Sequence, residues 1–126
     1  MIAVDTSALM AIALDEPPAD WCEAVLRSEP DLVISAATLS EALVVAGRRG
    51  VADEMAILLD GLGPQIVPVS EAFARRVAHA YSQSGKGRHP AGLNWGDCFS
   101  YVTARDRGCP LLYVGDDFAR TDLVGI

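Results

Sequence analysis

The amino-acid sequence predicts an α/β sandwich, a mostly parallel sheet of four or five strands flanked by helices. Two observations carry the prediction. Short apolar runs alternate with longer helical patterns along the whole chain, and strands separated by helices imply a parallel sheet covered on both faces. The chain has 126 residues, 51% of them hydrophobic, enough to bury one substantial core and too few for two. A single domain spanning 1–126 is therefore expected.

The elements follow in order. "IAVD" at 2–5, "DLVIS" at 31–35, "QIVPV" at 65–69 and "PLLYV" at 110–114 read as strands. Pro68 removes a backbone donor and places the third at a sheet edge or a strand end. Helical patterns cover 8–14 and 19–28, then 38–49 and 52–62, then 71–84 and 95–107. Pro17-Pro18, the glycines at 47–50, the segment 61–64 and "GKGRHPAGLN" at 85–94 punctuate them.

Ten Lys and Arg against 17 Asp and Glu give a net charge of -7, which opposes general adhesion to nucleic acid or anionic membrane. The balance is local. Residues 75–107 hold six basic residues, Arg75, Arg76, Lys86, Arg88, Arg105 and Arg107, against only Asp97 and Asp106, so one region is able to face a polyanion. Three cysteines, Cys22, Cys98 and Cys109, show no close pair spacing and indicate neither a disulfide framework nor a zinc site. A reducing, cytoplasmic setting fits. The apolar start lacks a basic leader region and is interrupted by Asp5, so the chain is read as beginning at Met1, with no membrane span.

Asp5 is the residue that most needs an explanation. It follows Ile2-Ala3-Val4 at the end of the first strand, where an unpartnered carboxylate is costly and should be neutral, paired or holding a cation. In an open parallel sheet, the strand carboxyl ends and the helix starts beside them line one edge, where sites form. Glu41, expected in the first turn after the second strand, Asp97, in the first turn of the last helix, and Asp116-Asp117, after the fourth strand, all reach that edge. Each has a bland account. Thr38-x-x-Glu41 fits a capping box, Asn94-x-x-Asp97 a cap with an acidic third residue, and Asp116-Asp117 a turn. Convergence of all four is what the bland accounts leave out, because clustered carboxylates repel unless a cation sits among them. His79 and His89 have no partner at ligand spacing, and Trp21 and Trp95 read as core or interface anchors.

"VDTSAL", "TLSEALVV", "GKGRHPAGLNWGDCFSYVTAR" and "PLLYVGDDFARTD" together resemble, over nearly the full length, the PIN-domain ribonucleases, in particular VapC-type toxins of bacterial toxin-antitoxin pairs. The resemblance implies a PIN-like three-layer sandwich and an endoribonuclease dependent on Mg2+ or Mn2+. It also implies a small VapB-type antitoxin as partner. Asp5 and Asp97 become primary metal ligands, Asp117 a second ligand or water bridge, and Glu41 an orienter or base for the attacking water. Thr6 or Ser7 supports the first ligand or the phosphate. Asp116 competes with Asp117 for the fourth role, with Asp122 as a third choice, and Arg88 is the first choice for an RNA phosphate contact. Hard divalent ions prefer such oxygen donors and activate phosphodiester hydrolysis without a histidine base.

Two other classes compete. A phosphoaspartate protein, receiver or phosphatase, also places aspartates at strand ends, but there is no D-x-D after the first strand and the sole lysine, Lys86, lies in a loop. An inactive PIN module serving only for interaction is the other. A homodimer is expected, since a mean hydropathy of +0.25 and helices such as "SEALVVAG" at 40–47 leave more apolar surface than one small core covers.

Overall fold

β1 (Ile2–Val4) leads into α1 (Thr6–Ala13) and α2 (Ala19–Ser28), then β2 (Leu32–Ser35), α3 (Ala36–Arg48) and α4 (Ala52–Leu62). β3 (Gln65–Val67), α5 (Glu71–Ser84), α6 (Trp95–Arg107) and β4 (Leu111–Leu112) complete the chain. The computed structural model describes residues 1–87, 89–124 and 126. The sheet has the order β3-β2-β1-β4, and every pair is parallel, with Ile2 opposite Leu32, Ala3 opposite Leu111 and Val33 opposite Gln65.

The strands alternate their side chains between two helical layers. Ile2, Val4, Leu32, Ile34 and Leu112 pack with Leu9, Met10, Cys22, Leu26, Met55 and Leu58 from α1, α2 and α4. Ala3, Val33 and Leu111 face Phe73, Val77, Phe99 and Val102 from α5 and α6. This is the expected three-layer sandwich with four strands. The order also fixes where chemistry is possible. From β1 the chain winds outward to β2 and β3, and returns to β1's other side only with β4, so a crevice opens beyond the carboxyl ends of β1 and β4.

Several expected boundaries shift. The strands are shorter, because helices start directly at their ends: α1 begins at Thr6 rather than 8, and α3 at Ala36 rather than 38. β3 stops at Val67, before Pro68, and is an edge strand with Ile66 42% exposed. Trp21 and Trp95 are not core residues, being 47% and 67% exposed. Cys22, Cys98 and Cys109 are all free thiols. No described helix is long and apolar enough to cross a membrane.

Candidate active site

The site is built outward from the end of β1. Asp5 continues the β1–β4 ladder, donating its N–H to Leu112 O at 3.0 Å, and then caps α1 from an extended conformation. Its Oδ2 accepts from Ser7 N at 3.1 Å and from Ser7 Oγ at 2.6 Å. Its Oδ1 accepts from Ser100 Oγ at 2.5 Å. Asp5 thus has a capping role after all, but a cap uses one carboxylate oxygen, and here the second is held by a helix 95 residues away. Ser7 Oγ also accepts from Val114 N at 3.0 Å, tying the exit of β4 to the same point.

Thr6 faces the neighbouring strand's helix. Its Oγ1 lies 2.7 Å from Glu41 Oε1, to which it donates, and 3.3 Å from Thr38 O. Glu41 is not in the first turn of α3, and Thr38 does not form a capping box with it. Ser35, the last residue of β2, caps the helix by accepting from Ala37 N at 3.1 Å, so Glu41 stands in the second turn. Thr38 is buried, with its Oγ1 3.4 Å from Ser100 Oγ. Beyond Glu41 lies Gly96. A Cβ there would stand 2.7 Å from Glu41 Oε2, so the missing side chain is what lets α3 bring a carboxylate against the start of α6.

Asp97 does complete its capping box. Asn94 Oδ1 accepts from Asp97 N at 2.8 Å and Asp97 Oδ2 accepts from Asn94 N at 3.1 Å. Burial drives the Asp97 carboxyl up to about 7; the Asn94 N–H opposes this, and the charges of Asp117, Asp5 and Glu41 push further in the same direction. Four carboxylates from β1, α3, α6 and the segment after β4 therefore share one electrostatic environment. Asp117 belongs to it, while Asp116 is not among the charges acting on Asp97. Gly115, at φ +100, makes the turn that leads into this pair. Asp122 points elsewhere, accepting from Tyr101 Oη at 2.6 Å and pairing with Arg105 at 3.3 Å.

None of the four carboxylates is ion-paired to a basic side chain among the described residues. A set of hard oxygen donors, negatively charged and without an internal cation, fits Mg2+ or Mn2+. Among the described residues no three His, Cys, Asp or Glu side chains stand at metal-holding spacing.

Sequence reasoning missed three contributors. Ser100 and Gly96 carry no chemical signal alone; their only clue is position, one turn after Asp97 and one residue before it. Thr38 was assigned to a cap and proves to be a buried contact. Three of the six basic residues at 75–107 are ion-paired: Arg75 with Glu71, Arg76 with Asp106 and Arg105 with Asp122. Arg88, the expected phosphate contact, lies outside the described residues. His79 lines a surface cavity of about 340 Å³ with Arg76 and Arg105, and His89 Nδ1 accepts from Ala91 N at 2.9 Å.

Comparison with known proteins identifies the family. Residues 2–124 match the family model of the PIN domain. A ribonuclease VapC from Mycolicibacterium smegmatis is 40% identical, the match covering 99% of each chain. Ribonuclease VapC30 of Mycobacterium tuberculosis is 41% identical over 99% of this chain and 98% of its own. The crystal structure of M. tuberculosis VapC20, a sarcin-ricin loop cleaving toxin, superposes with a TM-score of 0.81 at 17% identity, covering 100% of this chain and 98% of that one. A toxin-antitoxin complex from Klebsiella pneumoniae gives a TM-score of 0.73 at 20% identity, covering 97% and 93%. With a matching fold, a family model spanning almost every residue and full-length relatives at this identity, the chain belongs to the PIN-domain family and, within it, to the VapC ribonucleases.

Proposed function

We propose that the protein is a Mg2+- or Mn2+-dependent endoribonuclease toxin, working in the cytoplasm and neutralised by a small antitoxin protein. The observation that carries the reading is the convergence of Asp5, Glu41 and Asp117 on the buried Asp97, whose carboxyl is raised to about 7 by burial and by their charges, with none of the four ion-paired to a basic side chain among the described residues. In this reading Asp5 and Asp97 hold the cation, with Asp117 as a further ligand or water bridge and Asp116 as its alternate. A bound divalent ion supplies charge neutralisation at the scissile phosphate and activation of water. Glu41, steadied by Thr6, orients the attacking water, and Ser7 keeps Asp5 in place. Hydrolysis leaves a 5'-phosphate and a 3'-hydroxyl.

The test is direct. Purified protein incubated with total RNA should produce discrete fragments in Mg2+ or Mn2+ and none in EDTA. Cleavage that persists in chelator would remove the cation from the mechanism.

Two apolar surfaces supply places for partners. Leu43 and Val44 on α3 are 47% and 57% exposed. Val44 and Trp95 line a cavity of about 260 Å³ with Ala37, Gly96 and Phe99, and with Ser40 and Glu41 at its polar side. This face, predicted from the "SEALVVAG" stretch, supports a homodimer. Val44→Glu is expected to shift the protein from dimer to monomer in sedimentation at micromolar concentration; a wild type that is already monomeric would count against the assignment. The antitoxin then takes the other surface, a groove of about 270 Å³ between α1, α2 and α4, where Ile12, Ala13 and Leu58 meet Ile57, itself 73% exposed.

A further inference from the structure

We propose that Ser100 is a positioning residue for cation binding: its hydroxyl locks the rotation of the Asp5 carboxylate, so that affinity for the divalent ion depends on a residue outside the acidic set. The inference rests on the cation-dependent reading above and goes one step further, to how the first ligand is held.

The torsion that spins a carboxylate about its own axis is soft. A group held through one oxygen swings on that hydrogen bond; a group held through both does not. Ser7 holds Oδ2 from the first turn of α1, through its N–H and its hydroxyl. Among the described residues Ser100 alone holds Oδ1, at 2.5 Å. An ionised carboxylate offers about four acceptor positions, so these three donors leave about one for a cation and thereby select the carboxylate's orientation.

The donor is itself fixed. Ser100 is 1% exposed and Thr38 is 1% exposed, so no water has ready access to replace either hydroxyl. Ser100 has one proton and gives it to the charged acceptor, Asp5. The neighbouring Thr38 hydroxyl, 3.4 Å away, is left to donate to Ser100. Ser100 also lies one turn after Asp97 on α6, on the same side of the helix. One helix therefore carries Asp97 and the group that orients Asp5, and the relation between these two carboxylates is set by a rigid element.

The test uses the full-length protein with Mn2+ as probe, the free ion being read by electron paramagnetic resonance. Ser100→Ala should raise the Mn2+ dissociation constant about ten-fold or more, the scale of losing an outer hydrogen-bond partner of a metal ligand. Ser100→Thr, which keeps the hydroxyl, should restore most of that affinity. The Mg2+ concentration for half-maximal RNA cleavage should rise in the Ala variant, while the rate at saturating Mg2+ changes little. If Ser100→Ala does not fold by circular dichroism, Ser100→Cys, similar in size with a weaker donor, is read the same way. A folded Ala variant that binds Mn2+ as tightly as wild type would overturn the role of Ser100 alone. A wild type that binds no Mn2+ would overturn both this inference and the reading beneath it.

Discussion

Asp97→Asn is expected to abolish cation-dependent RNA cleavage and yet to melt at a higher temperature than wild type in EDTA near pH 8. The activity loss should exceed about a hundred-fold, the scale for removing one group that stabilises charge in a transition state. The stability gain follows from the Asp97 carboxyl being raised to about 7 from an ordinary value of 3.8. Between those values the folded state binds more proton than the unfolded state, so stability falls as pH rises, and the full penalty is present above about pH 7. Asn carries no charge and can still accept the Asn94 N–H through its amide oxygen, keeping the cap. Allowing for solvent screening at a carboxyl that is not wholly enclosed, the gain is about 1 to 3 kcal/mol. It should vanish below about pH 4, where both proteins are neutral at this position. Mg2+ should close the gap from the other side, raising the melting point of wild type by binding only the folded state. A purely structural capping aspartate predicts the reverse: a variant no more stable than wild type at any pH, with no response to metal.

Gly96→Ala should separate activity from stability in a different way. The new methyl group would stand 2.7 Å from Glu41 Oε2 and 3.4 Å from Asn94 Oδ1. The Glu41 carboxylate ends a flexible side chain and will move rather than unfold the helix. Gly96 lies in the first turn of α6 with an ordinary helical backbone, so alanine fits there and, by restricting the unfolded chain, stabilises the fold by up to about 1 kcal/mol. The melting temperature should therefore hold or rise. Cleavage should fall by about ten- to a hundred-fold, since displacing a reacting group by about 1 Å costs on that order. In a Glu41→Ala background the same substitution should add almost nothing, because the group it displaces is gone. Full activity in Gly96→Ala, or an additive loss in the double variant, would free Glu41 from its assigned part.

The layers and strand count were legible because the apolar runs are short, fully buried and separated by long amphipathic segments. The carboxylates were legible because charge at the end of an apolar strand has few uses. What escaped were features that depend on how tightly strands join helices. Ser35 caps α3 from within the last residue of β2, so no loop intervenes and the helix starts before Thr38. The pattern Thr38-x-x-Glu41 matched a capping box only because sequence spacing does not reveal where a helix begins. Ser100 escaped for a related reason. A serine inside a helix is ordinarily a weak helix former facing water, and only the packing of α6 against β1 and α3 turns it toward Asp5. Asp117 and Asp116 are adjacent exposed carboxylates that spacing cannot separate, and it is the charge of Asp117 that bears on Asp97.

The pairing of β1 with β4 joins residues 3 and 111. A ribosome delivers the chain from its N-terminus, at about 5 to 20 residues per second, and Asp5 and Glu41 emerge long before the strand that closes their crevice. Until the final stretch is free, β1 is an open edge, Ser7 has no Val114 to anchor, and Asp117 has not been delivered. The crevice beside Asp5 is therefore closed last: its two walls, β1 and β4, meet only once residues 111–114 have left the ribosome.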